Sequence, residues 1–166
     1  FTALGTSSSA ATIPITLNSA WSIGVSNTVS SFVVPLCATI HLSGSIVKIT
    51  TFSIAVLIIM GGNYSFWVFL PFLLMLGVMM VAAPGVPGGA IAAASGLLVQ
   101  MLGFGDAAIG LMFAAYIALD SFGTATNVTG DGAIAVMVDK LSKGSVGGDQ
   151  TLETLEEDST EEATIS

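Results

Sequence analysis

Asp120-Ser121-Phe122-Gly123-Thr124-Ala125-Thr126-Asn127-Val128-Thr129-Gly130-Asp131 places two carboxylates, a carboxamide and three threonine hydroxyls in a segment otherwise apolar enough to cross a bilayer. Ionisable groups at membrane depth are expensive, and where they occur they face a polar cavity that carries ions or substrate. Asp120, Thr124, Asn127 and Asp131 follow one another at steps of four, three and four, so a helix stacks them on one face. That face offers oxygen ligands and neither thiolate nor imidazole. Sodium or an ammonium group suits it better than a transition metal does. Polar contacts between packed helices would account for Thr124 and Asn127, but such contacts do not need two aspartates.

Working outward, the composition is that of a membrane protein. Of 166 residues, 53% are hydrophobic and 8% charged, whereas a soluble domain carries about a quarter charged residues. The net charge of −8 belongs to the end of the chain, because seven of the eleven acids lie within residues 149–162. The remainder is nearly neutral, with Asp106, Asp120, Asp131 and Asp139 against Lys48, Lys140 and Lys143. There is no arginine, which removes both a basic surface for nucleic acid and a bidentate clamp for a carboxylate. The single cysteine, Cys37, has no partner for an internal disulfide and says nothing about compartment. No nucleophile–base pair stands out, since Ser–His chemistry would require His41 to meet one of many serines by accident. An enzyme is therefore not expected. The chain opens on Phe1 with no charged segment before an apolar core, so the expectation is a fragment of a longer protein without a signal peptide.

Three apolar segments carry polar interruptions. Residues 1–28 begin with the run Ser7-Ser8-Ser9-Ala10-Ala11-Thr12-Ile13-Pro14, whose hydroxyls suit a turn or a helix start. Residues 29–60 read as a helix broken at His41-Leu42-Ser43-Gly44-Ser45, and unwound backbone at that depth is tolerated only where it lines protein or water. His41 sits at the break, where a structural histidine is the commoner case. Lys48 follows it too deep in the segment to reach an interface, so an internal partner is expected. Residues 61–104 contain Pro84-Gly85-Val86-Pro87-Gly88-Gly89, a turn between two short apolar arms. The arms suit a re-entrant hairpin, and the second, rich in Ala, Gly and Ser, is close-packing material. Two full spans joined by a loop are the alternative, since 18 helical residues reach roughly 27 Å. Residues 105–140 form the last membrane helix, and Lys140 with Lys143 at its end votes for a cytoplasmic C-terminus. Residues 141–166 read as a disordered acidic tail. The fold expected is an all-α membrane protein of broken transmembrane helices and re-entrant helical hairpins, the physics of a secondary transporter with its site between discontinuous elements.

The serine run with Thr12-Ile13-Pro14, the stretch Val34-Pro35-Leu36-Cys37-Ala38-Thr39-Ile40, the Gly85-Val86-Pro87-Gly88 tip and the Asn127-Val128-Thr129-Gly130-Asp131 end together resemble the dicarboxylate/amino acid:cation (sodium) symporter family, that of the glutamate transporters. Four motifs in order make the match specific, and it covers nearly everything before the acidic tail. The resemblance implies the C-terminal half of such a transporter: part of the first re-entrant hairpin, a broken seventh helix, a second hairpin that gates the outer side, and the eighth helix. It implies a multi-pass protein of the inner or plasma membrane, in contact with the lipid bilayer and homotrimeric at full length. It also implies that this piece alone would not transport. Carried over by position, Asp120 would hold the substrate's amino group, with Thr124 and Asn127 also on the substrate. Backbone N–H groups around Ser8, Ser9, Gly85 and Val86 would receive its main carboxylate. Asp131, with Asn127, would bind sodium. Thr39 and the carbonyls near Met80, Val81 and Ala83 would form a second sodium site beneath the gating hairpin.

Two departures from the family pattern refine this. Members that take acidic substrates carry an arginine where Gly123 stands, or in the serine run where Ser7 stands. Without it a second carboxylate would be buried unpaired at a cost of several kcal/mol, which points to a small neutral amino acid. An acidic amino acid or dicarboxylate is the alternative, with Lys48 supplying the cation. The family's Asn-Met-Asp-Gly-Thr reads His41-Leu42-Ser43-Gly44-Ser45, so a carboxylate of a third sodium site is missing at Ser43. Fewer coupled sodium ions are expected, with His41 and Lys48 as candidate coupling groups and a proton as candidate replacement. No organic cofactor is expected. The rival from another class is an inactive transporter half serving as a structural membrane subunit.

Overall fold

Small hydroxyl residues, glycine and proline punctuate the apolar chain, and Ser8, Ser26, Ser65, Gly88 and Gly105 each stand at a helix start. A computed structural model describes residues 1–62 and 65–142. From residue 143 on, the acidic-tail reading of 141–166 lies outside the described residues, as does Lys143. Among the described residues eight helices follow in order: α1 Thr2–Thr6, α2 Ser9–Ser22, α3 Asn27–Ile40, α4 Ser43–Met60, α5 Phe66–Val81, α6 Gly89–Leu102, α7 Asp106–Ala118 and α8 Asp120–Ser142. The fold is all-α, with broken helices and short helical hairpins.

The serine run makes the first break. Ser7 leaves α1 with a left-handed backbone (φ 48°), and Ser8 caps α2 by accepting the Ala11 N–H on its Oγ at 3.2 Å. Asn27–Met60 is long and apolar enough to cross a membrane. Its interruption is confined to His41 and Leu42, while Ser43, Gly44 and Ser45 form the first turn of α4. Helix starts tolerate such residues, and the Gly44 N–H finds its partner in Asn127 Oδ1 at 2.8 Å.

α5 and α6 are 16 and 14 residues long. At the helical rise they reach about 24 and 21 Å, short of the roughly 30 Å of a hydrocarbon core. The turn between them ends at Gly88, whose φ of 72° is open to glycine and strained for other residues.

Residues 105–140, read from sequence as one helix, are divided. α7 and α8 meet at Leu119 with a bend of 61°. No glycine or proline marks the break. The Leu119 carbonyl accepts a hydrogen bond from Lys48 Nζ at 3.4 Å, a contact between helices distant in sequence.

Two apolar clusters flank α8. One joins Ile49 of α4, Phe72 and Leu76 of α5, Ile91 and Leu98 of α6 and Met112 of α7, all fully buried. The other joins Ala20 of α2, Val33, Val34 and Cys37 of α3 and Ala135 of α8. In lipid such packing rests on dispersion and close fit, because the bilayer is as apolar as the core. Phe32, Ile59, Trp67, Val78 and Leu141 face outward, a surface suited to lipid or further protein. α8 packs against α1, α2, α3 and α4, and its polar face lies in that seam.

Candidate functional site

The four-residue face of α8 is buried along its length. Asp120, Thr124, Asn127 and Asp131 are 6%, 4%, 2% and 1% exposed. Polar groups at that depth need partners. Asn127 has two: its Oδ1 takes the Gly44 N–H, and its Nδ2 donates to Ser45 Oγ at 3.4 Å. Ser45 Oγ also accepts the Tyr116 hydroxyl at 2.9 Å. The start of α4 is thus tied to both α7 and α8.

Each aspartate meets a basic side chain. Lys48 Nζ donates to Asp120 Oδ1 at 2.8 Å, and the other oxygen of Asp120 accepts the Gly88 N–H at 2.9 Å. The Lys48 ammonium also lies 3.6 Å from the centroid of the Tyr116 ring, within cation–π range. At the far end His41 Nδ1 lies 2.8 Å from Asp131 Oδ1. With Asp131 ionised, the imidazole is the donor. The second oxygen of Asp131 is buried without a hydrogen-bond partner among the described residues, so it is free to ligate a cation.

Both contacts depend on a missing side chain. A Cβ at Gly123 would strike Lys48 Cε and Nζ, and a Cβ at Gly130 would strike His41 Cε1. By the resemblance, some members that take acidic substrates carry an arginine at position 123. Here that space is filled from the opposite side by the α4 lysine.

Ser8, Ser9 and the 82–88 turn close the site from above. The Gly85 carbonyl accepts from Ser8 Oγ at 3.0 Å and from the Ala10 N–H at 3.2 Å. A Cβ on Gly85 would stand 2.5 Å from the Ala38 carbonyl, so the turn also meets the end of α3 through bare backbone. Between the serine run and the turn remains a cavity of about 10 Å³, lined by Ser9, Gly85, Val86, Asp120, Thr124 and Asn127 among others. That is room for about one water, so an amino acid would require the turn to open.

The expected second sodium site is less assembled. Thr39 is exposed, and its hydroxyl donates within its own helix to the Leu36 carbonyl at 2.7 Å. The Met80 carbonyl accepts the N–H groups of Ala82 and Ala83 in the turn. Met80 and Ala83 are buried, Val81 is exposed, and no hydrogen bond joins Thr39 to any of them among the described residues. Among the described residues no three His, Cys, Asp or Glu side chains converge there either.

Tyr116, Ser45 and the Gly88 amide are site groups that reading the 120–131 face misses. Tyr116 lies four residues before Asp120, a spacing that would have put it on the same face. The others come from elements that sequence spacing cannot relate to α8. Asp139, lower on α8, accepts the Ser26 N–H at 3.1 Å and so ties α8 to the start of α3.

Buried carboxylates on a broken helix, enclosed by two short hairpin tips, define a class: secondary transporters that bind cargo between discontinuous helices. The model of the sodium:dicarboxylate symporter family matches residues 1–141, and the chain belongs to that family. It is 29% identical over 152 residues to the serine/threonine transporter SstT of Acinetobacter baylyi, covering 86% of this chain and 36% of that protein. It is 33% identical over 143 residues to an excitatory amino acid transporter of Caenorhabditis elegans, covering 86% and 28% respectively. The chain therefore spans well under half the length of these curated relatives. No solved structure matches significantly.

Proposed function

We propose that this chain carries the substrate and cation sites of a sodium-coupled symporter for a small neutral amino acid. The observation that carries the reading is the buried α8 face, with Asp120 under the 82–88 turn and an unpartnered carboxylate oxygen on Asp131. In this reading Asp120 binds the substrate's amine, Thr124 and Asn127 its polar atoms, and backbone N–H groups around Ser8, Ser9, Gly85 and Val86 its carboxylate. Asp131 ligates sodium with Asn127. Thr39 and the carbonyls near Met80, Val81 and Ala83 join as a second sodium site once the gating turn rearranges. The 61–104 hairpin is the outer gate, the domain moves as a rigid body within a homotrimer, and the C-terminus is cytoplasmic. Gly123 in place of arginine favours a neutral substrate, in keeping with the serine/threonine transporter among its relatives.

One observation favours a second reading. Lys48 occupies the space that Gly123 leaves, so a cation is present near the position where the family places one. An acidic amino acid or dicarboxylate would then pair with Lys48. Isothermal titration of the full-length protein separates the two. Sodium-dependent heat from serine or alanine, lost in Asp120→Asn, supports the first. Heat from aspartate or succinate alone supports the second. Heat from none of them refutes both and leaves an inactive structural subunit.

A further inference from the structure

Both oxygens of Asp120 already carry a hydrogen bond. One oxygen is taken by Lys48 Nζ at 2.8 Å and the other by the Gly88 N–H at 2.9 Å. The lysine and aspartate side chains are 11% and 9% exposed. The surroundings of Lys48 Nζ are a carboxylate, the Tyr116 ring at 3.6 Å and the Leu119 carbonyl at 3.4 Å. Those are the groups that any desolvated amine would seek. Gly123 gives the lysine stem its path, since a Cβ there would strike Cε and Nζ. Gly88 belongs to the turn over the site, so the carboxylate that holds the ammonium also holds that turn shut over a cavity of about 10 Å³.

We infer that Lys48 is a tethered stand-in for the substrate's amine. In the empty protein its ammonium fills the Asp120 subsite, neutralises the carboxylate and lets the 82–88 turn close with no amino acid bound. An amine-bearing substrate enters by displacing it. The inference deepens the reading of Asp120 as the amine partner and rests on it. A lone carboxylate at this depth would be an uncompensated buried charge, and closure over it would be opposed until a cationic ligand arrived. The lysine removes that opposition. It also sets a requirement on the cargo, because a molecule without an amine offers Asp120 nothing in exchange for Lys48.

Lys48→Met in the full-length protein keeps the apolar stem and removes the ammonium. Titration in sodium with serine, alanine, aspartate and succinate is expected to show the amine-bearing substrate binding about tenfold tighter to the variant than to the parent. Equal or weaker binding overturns the inference. Loss of aspartate and succinate binding also overturns it, since Lys48 would then be holding substrate.

A second measurement needs no substrate: melting temperatures of the parent, Lys48→Met, Asp120→Asn and the double variant, all ligand-free. The double variant is expected to melt above Asp120→Asn, because it no longer buries an unpaired ammonium. Additive losses overturn the stand-in alone when amine binding is intact. Coupled melting with no amine binding in either form overturns the amine-partner reading of Asp120, and the displacement step with it.

Discussion

Asp120 and Asp131 stand at opposite ends of one helical face, and each meets a basic side chain of the α3–α4 region across a glycine. Gly123 admits Lys48 to Asp120, and Gly130 admits His41 to Asp131. The ends differ in how completely the carboxylate is satisfied. Both oxygens of Asp120 are bonded, one of them to the turn that closes the site. Asp131 is the more deeply buried, yet one of its oxygens has no partner among the described residues. A saturated carboxylate under a movable turn suits a ligand that enters by exchange. A half-saturated one suits an ion that is added. In the proposed reading the same residue type on the same helix serves two guests because of what surrounds it.

The largest effect should come from breaking the comparison at its saturated end. Asp120→Asn leaves the Lys48 ammonium buried without a counter-charge and is expected to destabilise the ligand-free protein by about 3–5 kcal/mol. Asp131→Asn leaves a carboxamide oxygen that still accepts from His41, so its loss in the same unfolding assay is expected to be well under half as large. A substrate-free sodium titration should reverse the order: Asp131→Asn weakens sodium binding, which Asp120→Asn does not act on directly. Equal behaviour of the two variants in both assays would abolish the distinction.

Adding a methyl at each glycine sharpens it further. Gly130→Ala drives a Cβ into the stiff His41 ring and is expected to cost about 1–3 kcal/mol, read as a lower melting temperature. Gly123→Ala meets the flexible end of a lysine, which can withdraw, so about 1 kcal/mol or less is expected. If Gly123→Ala proves the more damaging, Lys48 is held more rigidly than its long stem suggests. The smallest effect is that of Tyr116→Phe, which keeps the ring under Lys48 and removes the bond to Ser45. About 0.6 kcal/mol is the expectation for an interhelical hydrogen bond in a membrane protein, measured by thermal unfolding.

The polar face of α8 is legible in the sequence. The spacing of Asp120, Thr124, Asn127 and Asp131 follows from helical period alone, and charged residues in so apolar a chain mark where polarity matters. The serine run, the His41 break and the Pro–Gly turn were legible too, because their residues act on the backbone locally. The bend at Leu119 was not. Nothing in the residues around it breaks a helix, and the contacts at the bend reach across to α4. The Thr39 hydroxyl, to which the resemblance gives a ligand's role, donates within α3 and keeps its lone pairs as acceptors.

The sequence by itself determined that the chain is helical, membrane-embedded and interrupted by polar breaks, and that two aspartates share the face of its last segment. These properties are set by composition and by the period of a single helix. Only the tertiary structure decided which base meets which acid, that an absent side chain at Gly123 is filled by Lys48, and that one oxygen of Asp131 is left unpartnered among the described residues. Those depend on the relative placement of helices tens of residues apart, fixed by close packing of many small contacts that no local pattern encodes.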